Sequence, residues 1–200
     1  MATVFQCLPW PTRQQIDKHM PPSFKRFYPK TRCIIDCTDF FIERPTTPLT
    51  QVVTYSTYKS HNTYKCLLGI SPDGAFTFVS KLWGGNVSDR FITINSGFLD
   101  LVEPGDTIMA DRGFTIQDLL LERRSRLVIP AFTRKCNSGK RKRLNVEEVL
   151  STRRIARLRI HVERAIERLK NFELLFGILP MTTKSLANHI VLFVISCHPM

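Results

Sequence analysis

Three carboxylates stand at positions where a protein can put them to chemical use. Asp36 interrupts the strand-like run Cys33-Ile34-Ile35-Asp36-Cys37, with Phe40 and Phe41 just beyond. An ionised carboxyl among such neighbours is costly to bury unless it is paired or holds a cation. Asp111 follows Thr107-Ile108-Met109-Ala110. That is the carboxyl end of a predicted short strand, where open α/β sheets present ligand-binding groups. Glu163 lies in a long helical pattern, at the edge of its apolar stripe. All three positions suit metal binding.

Each acid also has an ordinary explanation. Asp36 could be an edge or turn-proximal residue, and Asp111 before Arg112-Gly113 a simple turn former. Glu163 could pair with Arg159 one helical turn earlier. Asp39 points to the opposite strand face from Asp36, so the two share a cation only if the strand bulges. Cys33 and Cys37 would lie about 13 Å apart on a strand, and no second cysteine pair follows, which disfavours zinc. His161 sits in an arginine-rich helix and reads as a surface or interface residue. There is no glycine-rich phosphate loop and no local signature of a Ser-His-Asp triad.

The elements that must position these groups follow from periodicity. A strand runs from Arg32 through Glu43, with Pro45 and Pro48 as stops. Residues 51–70, rich in Val, Thr and Tyr, read as strand. The turn Ser71-Pro72-Asp73-Gly74 leads to another strand over 75–82. Ser88 or Asp89 can cap a short helix running towards Leu101. Strand 107–110, helix 115–124, strand 127–130, a basic loop over 133–145, a long helix over 146–172 and a last helix over 182–197 complete the order. This is a mixed α/β layer domain. Residues 1–31 hold five prolines and no sustained periodicity. They are expected to form an N-terminal arm or the remnant of an upstream region, ahead of one domain over 32–197.

The chain of 200 residues carries a net charge of +12, and that charge is localised. Residues 123–170 contain 16 Lys+Arg and 4 Asp+Glu; the remainder has 13 of each, a net of zero. Such asymmetry points to a polyanion, nucleic acid first. Arg134, Lys135, Lys140, Arg141, Lys142 and Arg143 form a loop suited to phosphate contact or nuclear import, against the alternative of a solvated loop. Arg153, Arg154 and Arg157 extend the charge along the helix. No stretch of about 18 uncharged apolar residues occurs, so no membrane partner is expected. The N-terminus shows no secretory pattern, so the six cysteines are expected as thiols.

Four stretches together resemble the catalytic domain of Harbinger/PIF-type DDE transposases, a group of DDE superfamily endonucleases. They are Ile34-Ile35-Asp36-Cys37-Thr38-Asp39, Trp83-Gly84-Gly85-Asn86-Val87-Ser88-Asp89-Arg90, Met109-Ala110-Asp111-Arg112-Gly113-Phe114, and the helix 161–170 around Glu163. The resemblance spans about residues 32–196 with the motifs in order. It implies a ribonuclease-H-like fold, a mixed central sheet with helices on its faces. It also implies a triad of Asp36, Asp111 and Glu163, with Asp89 as a fourth candidate ligand. Many relatives carry His where Asp39 stands, so this chain has an extra carboxylate there.

The implied chemistry is phosphodiester hydrolysis followed by strand transfer to double-stranded DNA. Two divalent ions about 4 Å apart activate the water and stabilise the leaving 3′-oxygen. Mg²⁺ takes hard oxygen ligands and keeps several waters, so two Asp and one Glu suffice; Mn²⁺ accepts the same donors. The nucleus is the expected location. Relatives usually carry an N-terminal helix-turn-helix region, for which this chain has no room. The chain is therefore expected to be a fragment of a longer gene product or a decayed copy, and a DNA-binding protein partner or a homodimer is a separate expectation. The competing expectation is a domesticated, non-catalytic DNA-binding or protein-interaction module on the same fold.

Overall fold

The computed structural model describes residues 8–131, 145–181 and 186–196. Strand β1, Thr31–Ile42, is the organising element. Its β-branched and aromatic residues favour extended backbone, and alternation sends successive side chains to opposite faces. Ile34, Phe40 and Ile42 join one core cluster, Cys33 and Ile35 the other. With both faces covered, β1 must lie inside a layered sheet.

β1 pairs antiparallel with β3, His61–Ile70, which pairs antiparallel with β4, Phe76–Val79. On its other edge β1 pairs parallel with β6, Thr107–Met109, and β6 parallel with β7, Arg126–Val128. Two-residue strands extend the sheet: β2, Tyr55–Ser56, and β5, Trp83–Gly84, on β3, and β8, Ile178–Leu179, on β1. This mixed sheet with helices on its faces is the expected ribonuclease-H-like architecture.

The outer edge of β1 is used twice. β6 accompanies it only as far as Ile34↔Met109, and β8 joins it only at Phe41↔Ile178. Among the described residues no strand accompanies that edge between these points. Asp36 lies in the gap, and the chain leaving β6 reaches Asp111 beside it. Where the strands part, Asp36 and Cys37 are only half-buried in an otherwise largely buried strand.

Helix α6, Val146–Lys170, covers one face. A capping box between Asn145 and Glu148 starts it. Glu147 and Glu148 in its first turn and Arg168 and Lys170 in its last complement the helix dipole. Ile155, Leu158, Val162, Ala165, Ile166 and Leu169 pack against Ile34, Phe40 and Ile42. Helix α7, Ala187–Ser196, adds Val191, Val194 and Ile195 to the same core. On the other face, α4, Asp89–Asn95, and α5, Gln117–Glu122, bring Ile92 and Leu120 against Cys33 and Ile35. Near the N-terminus, α1, Arg13–His19, and α2, Pro22–Phe27, place Ile16, Met20 and Phe24 in the α6-side core.

One expected strand is corrected. Residues 48–54 form helix α3, Pro48–Thr54, so β-structure begins only at Tyr55. Pro48 does not stop an element; it occupies the first helical turn, where its fixed φ is an advantage. Gln51 Nε2 donates to Pro45 O at 2.7 Å, and Thr54 Oγ1 donates to Thr50 O at 2.7 Å. These local bonds outweigh the β-propensity of Val52, Val53 and Thr54. The expected basic loop lies outside the described residues, except for Asn145.

Candidate active site

Asp36 and Asp111 converge on one guanidinium. Arg159 Nη1 lies 2.9 Å from Asp111 Oδ1, and its Nη2 lies 3.9 Å from Asp36 Oδ2. Arg159 projects from the sheet-facing stripe of α6, between Leu158 and Val162, and its side chain is only 11% exposed. Its Nε is buried with no hydrogen-bond partner. An orphaned donor of this kind costs about 1–3 kcal/mol. The guanidinium is held by its charge rather than by complete hydrogen bonding.

The two carboxylates differ in setting. Asp36 is about a quarter exposed and accepts a 3.0 Å bond from the Cys37 amide at Oδ1. Burial pushes its carboxyl up to about 6, the Arg159 charge opposing and the Asp111 charge reinforcing that shift. Asp111 is half exposed at the end of β6. Its carbonyl accepts the Phe114 amide at 3.1 Å, closing the turn that buries Phe114. Arg90 braces the chain beyond that turn: it holds Asp118 through two 2.6 Å bonds and also bonds the Thr115 carbonyl.

Glu163 is exposed on α6, one turn beyond Arg159. Among the described residues no group of three His, Cys, Asp or Glu side chains is gathered around one point. The structure therefore brings Asp36 and Asp111 together and does not gather Glu163 with them. The residue that α6 supplies to the pair is Arg159, which the sequence offers only as a pairing partner for Glu163. A signal for it exists in the sequence: it falls four residues after Ile155 and three before Val162, inside the apolar stripe.

Asp89 opens α4 against Lys65, whose Nζ lies 3.1 Å from Asp89 Oδ1 and donates to Val87 O at 3.0 Å. Its charge is thus already engaged. A Cβ on Gly113 would touch Asp89 Oδ2 at 3.4 Å, so this acid borders the Asp111 turn. Asp39 is buried away from the pair and accepts a 2.9 Å bond from Thr63 Oγ1. Burial, with Asp89 next, raises the Cys37 thiol well above its usual range, so it is no thiolate nucleophile.

Arg153, Arg154 and Arg157 are exposed along α6. Arg154 lies 4.7 Å over the Phe27 ring, so its plane is partly committed to α2. Arg134, Lys135, Lys140, Arg141, Lys142 and Arg143 lie outside the described residues. Among the described residues no helix is long and apolar enough to cross a membrane.

A mixed sheet of this order, with Asp36 on β1 and Asp111 just beyond the end of its parallel neighbour β6, is a ribonuclease-H-like scaffold. The chain belongs to the DDE superfamily endonuclease family, whose model matches residues 35–198. The matched region contains Asp36, Asp111 and all of α6. Neither a curated protein nor a solved structure matched the chain.

Members of this superfamily generally use divalent metals. The donors here fit such an ion. Asp36 and Asp111 carry hard oxygen donors of the kind such an ion takes, their mutual repulsion contributes to the raised Asp36 carboxyl, and a cation, Arg159, already sits between them.

Proposed function

We propose that this chain is a metal-dependent DNA endonuclease of transposase type, of the Harbinger/PIF subtype that its four motifs resemble. The observation that carries the reading is the convergence of Asp36 and Asp111 on a single cation at the parting of β1 and β6. In this reading both aspartates hold the metal, and Glu163 is the third acid of the triad. Asp89 remains a lesser candidate because Lys65 engages it.

Bound Mg²⁺ or Mn²⁺ would supply an activated water and charge neutralisation at the leaving 3′-oxygen. The chain's residues do the rest. The Phe114 turn and the Arg90–Asp118 bonds hold the backbone of Asp111 at the strand end. Burial of Asp36 keeps bulk water from one side of the site. The exposed Arg153 and Arg157 offer phosphate contacts that position duplex DNA without reading its bases. Strand transfer by the freed 3′-hydroxyl, nuclear location and action with a DNA-binding partner or a second copy belong to the same proposal.

A second reading has two observations in its favour: Arg159 offsets the charge of the pair, and Glu163 is not gathered with it. That arrangement suits a non-catalytic DNA-binding or protein-interaction module. Plasmid nicking with Mg²⁺ or Mn²⁺ separates the two. The nuclease reading expects nicking by the wild type and loss of at least about a hundredfold in Asp111→Asn, the scale of removing one group that stabilises transition-state charge. Equal rates at equal DNA binding would favour the non-catalytic module.

A further inference from the structure

The cation between Asp36 and Asp111 belongs to the chain itself, and its geometry is informative. A guanidinium built for a lasting bond presents two parallel N–H groups to one carboxylate. Arg90 does so with Asp118, at 2.6 Å on both sides. Arg159 does not. It makes one contact of 2.9 Å to Asp111, a long one of 3.9 Å to Asp36, and leaves Nε buried without an acceptor. It spans two acids and satisfies neither fully.

We propose that Arg159 is a resident counter-cation and that a divalent ion loads the Asp36–Asp111 pair by displacing it. This rests on the reading of the two aspartates as metal ligands. A hard ion needs their oxygens at close range, about 2.1 Å for Mg²⁺, and Asp111 Oδ1 is held by Arg159 Nη1. Guanidinium and metal therefore compete for the same atom. Before loading, Arg159 offsets the repulsion between two acids brought together on neighbouring strands. The cost is metal affinity, so the pair fills only when the ion outcompetes the arginine. The device is local to α6, where the competing cation and the acid Glu163 lie one turn apart.

Mn²⁺ binding to the full chain tests this, followed by the electron paramagnetic resonance signal of free Mn²⁺. Arg159→Gln is expected to bind Mn²⁺ on the order of tenfold more tightly than the wild type, a 1.4 kcal/mol change. Arg159→Lys should fall between them, and Asp111→Asn should bind weakly. If Arg159→Gln binds no more tightly while Asp111→Asn loses binding, the counter-cation idea is overturned and the ligand assignment stands. If Asp111→Asn binds Mn²⁺ as the wild type does, both fall. A wild-type measurement keeps the proposal falsifiable should Arg159→Gln fail to fold. The Arg159 Nε–H resonance should shift in step with Mg²⁺ occupancy, and a signal that stays fixed while Mg²⁺ saturates overturns the displacement.

Discussion

Arg159 Nη1 lies 2.9 Å from Asp111 Oδ1, joining the middle of the long helix α6 to the end of strand β6. The same guanidinium reaches towards Asp36 on β1. One buried arginine thus ties together β1, the chain leaving β6 and α6, which carry the three acids of the proposed triad. The consequences for pH, metal, packing and DNA can be measured separately.

Asp36 makes the chain's stability depend on pH. Its carboxyl is raised from 3.8 to about 6 in the fold, chiefly by burial. The folded state therefore takes up the proton more readily than the unfolded one. The penalty is fully present above pH 6 and fades as the pH falls towards 4. In the presence of a chelator, Asp36→Asn should be more stable than the wild type at pH 7.5, by at most about 3 kcal/mol. The two should converge near pH 4. Urea denaturation across that range checks this, and an Asn variant that is less stable at pH 7.5 contradicts it.

Divalent ions should stabilise the folded chain through the same pair. Binding only to the folded state adds about 2.7 kcal/mol at a hundred times the dissociation constant. Thermal melts of the wild type should rise saturably with Mg²⁺ or Mn²⁺. The rise should disappear in the Asp36→Asn, Asp111→Asn double variant. A rise of equal size in that variant would place the ion elsewhere.

Gly85 should tolerate no side chain. An added Cβ would collide with Thr63 Oγ1 and lie 2.6 Å from the Thr54 carbonyl, where α3 meets β3. Its amide also donates to Thr63 O at 3.0 Å. Gly85→Ala should cost about 1–3 kcal/mol, the range for overpacking a closed site. Chemical denaturation measures it; a change below about 0.5 kcal/mol would mean that the two chain segments can separate freely.

The exposed face of α6 should contribute affinity without sequence preference. Replacing Arg153 and Arg157 with Gln is expected to weaken binding to unrelated duplexes alike. It should also reduce the slope of log affinity against log salt by about 0.9 for each DNA phosphate that is no longer neutralised. Fluorescence anisotropy over a salt series reads both effects. An unchanged slope would remove these two residues from the interface.

Much of the architecture is legible in the chain because it depends on near neighbours. The alternation along β1, the three-and-four spacing of Ile155, Leu158, Val162, Ile166 and Leu169, and the Ser88 cap of α4 are local patterns. They suffice for a mixed α/β domain and for the strand positions of Asp36 and Asp111. Helix α3 is not legible in this way, because side-chain bonds from Gln51 and Thr54 override a β-prone composition.

What the sequence determined by itself is which acids stand on which elements, and where the positive charge is concentrated. Only the tertiary structure decided what meets what. β6 leaves β1 after Ile34 and β8 joins it at Phe41, and this register opens the gap at Asp36. The packing of α6 then sends Arg159, rather than Glu163, to the two aspartates. Both results arise between residues distant in the chain. Strand register and helix rotation depend on how whole faces pack, which no local spacing encodes.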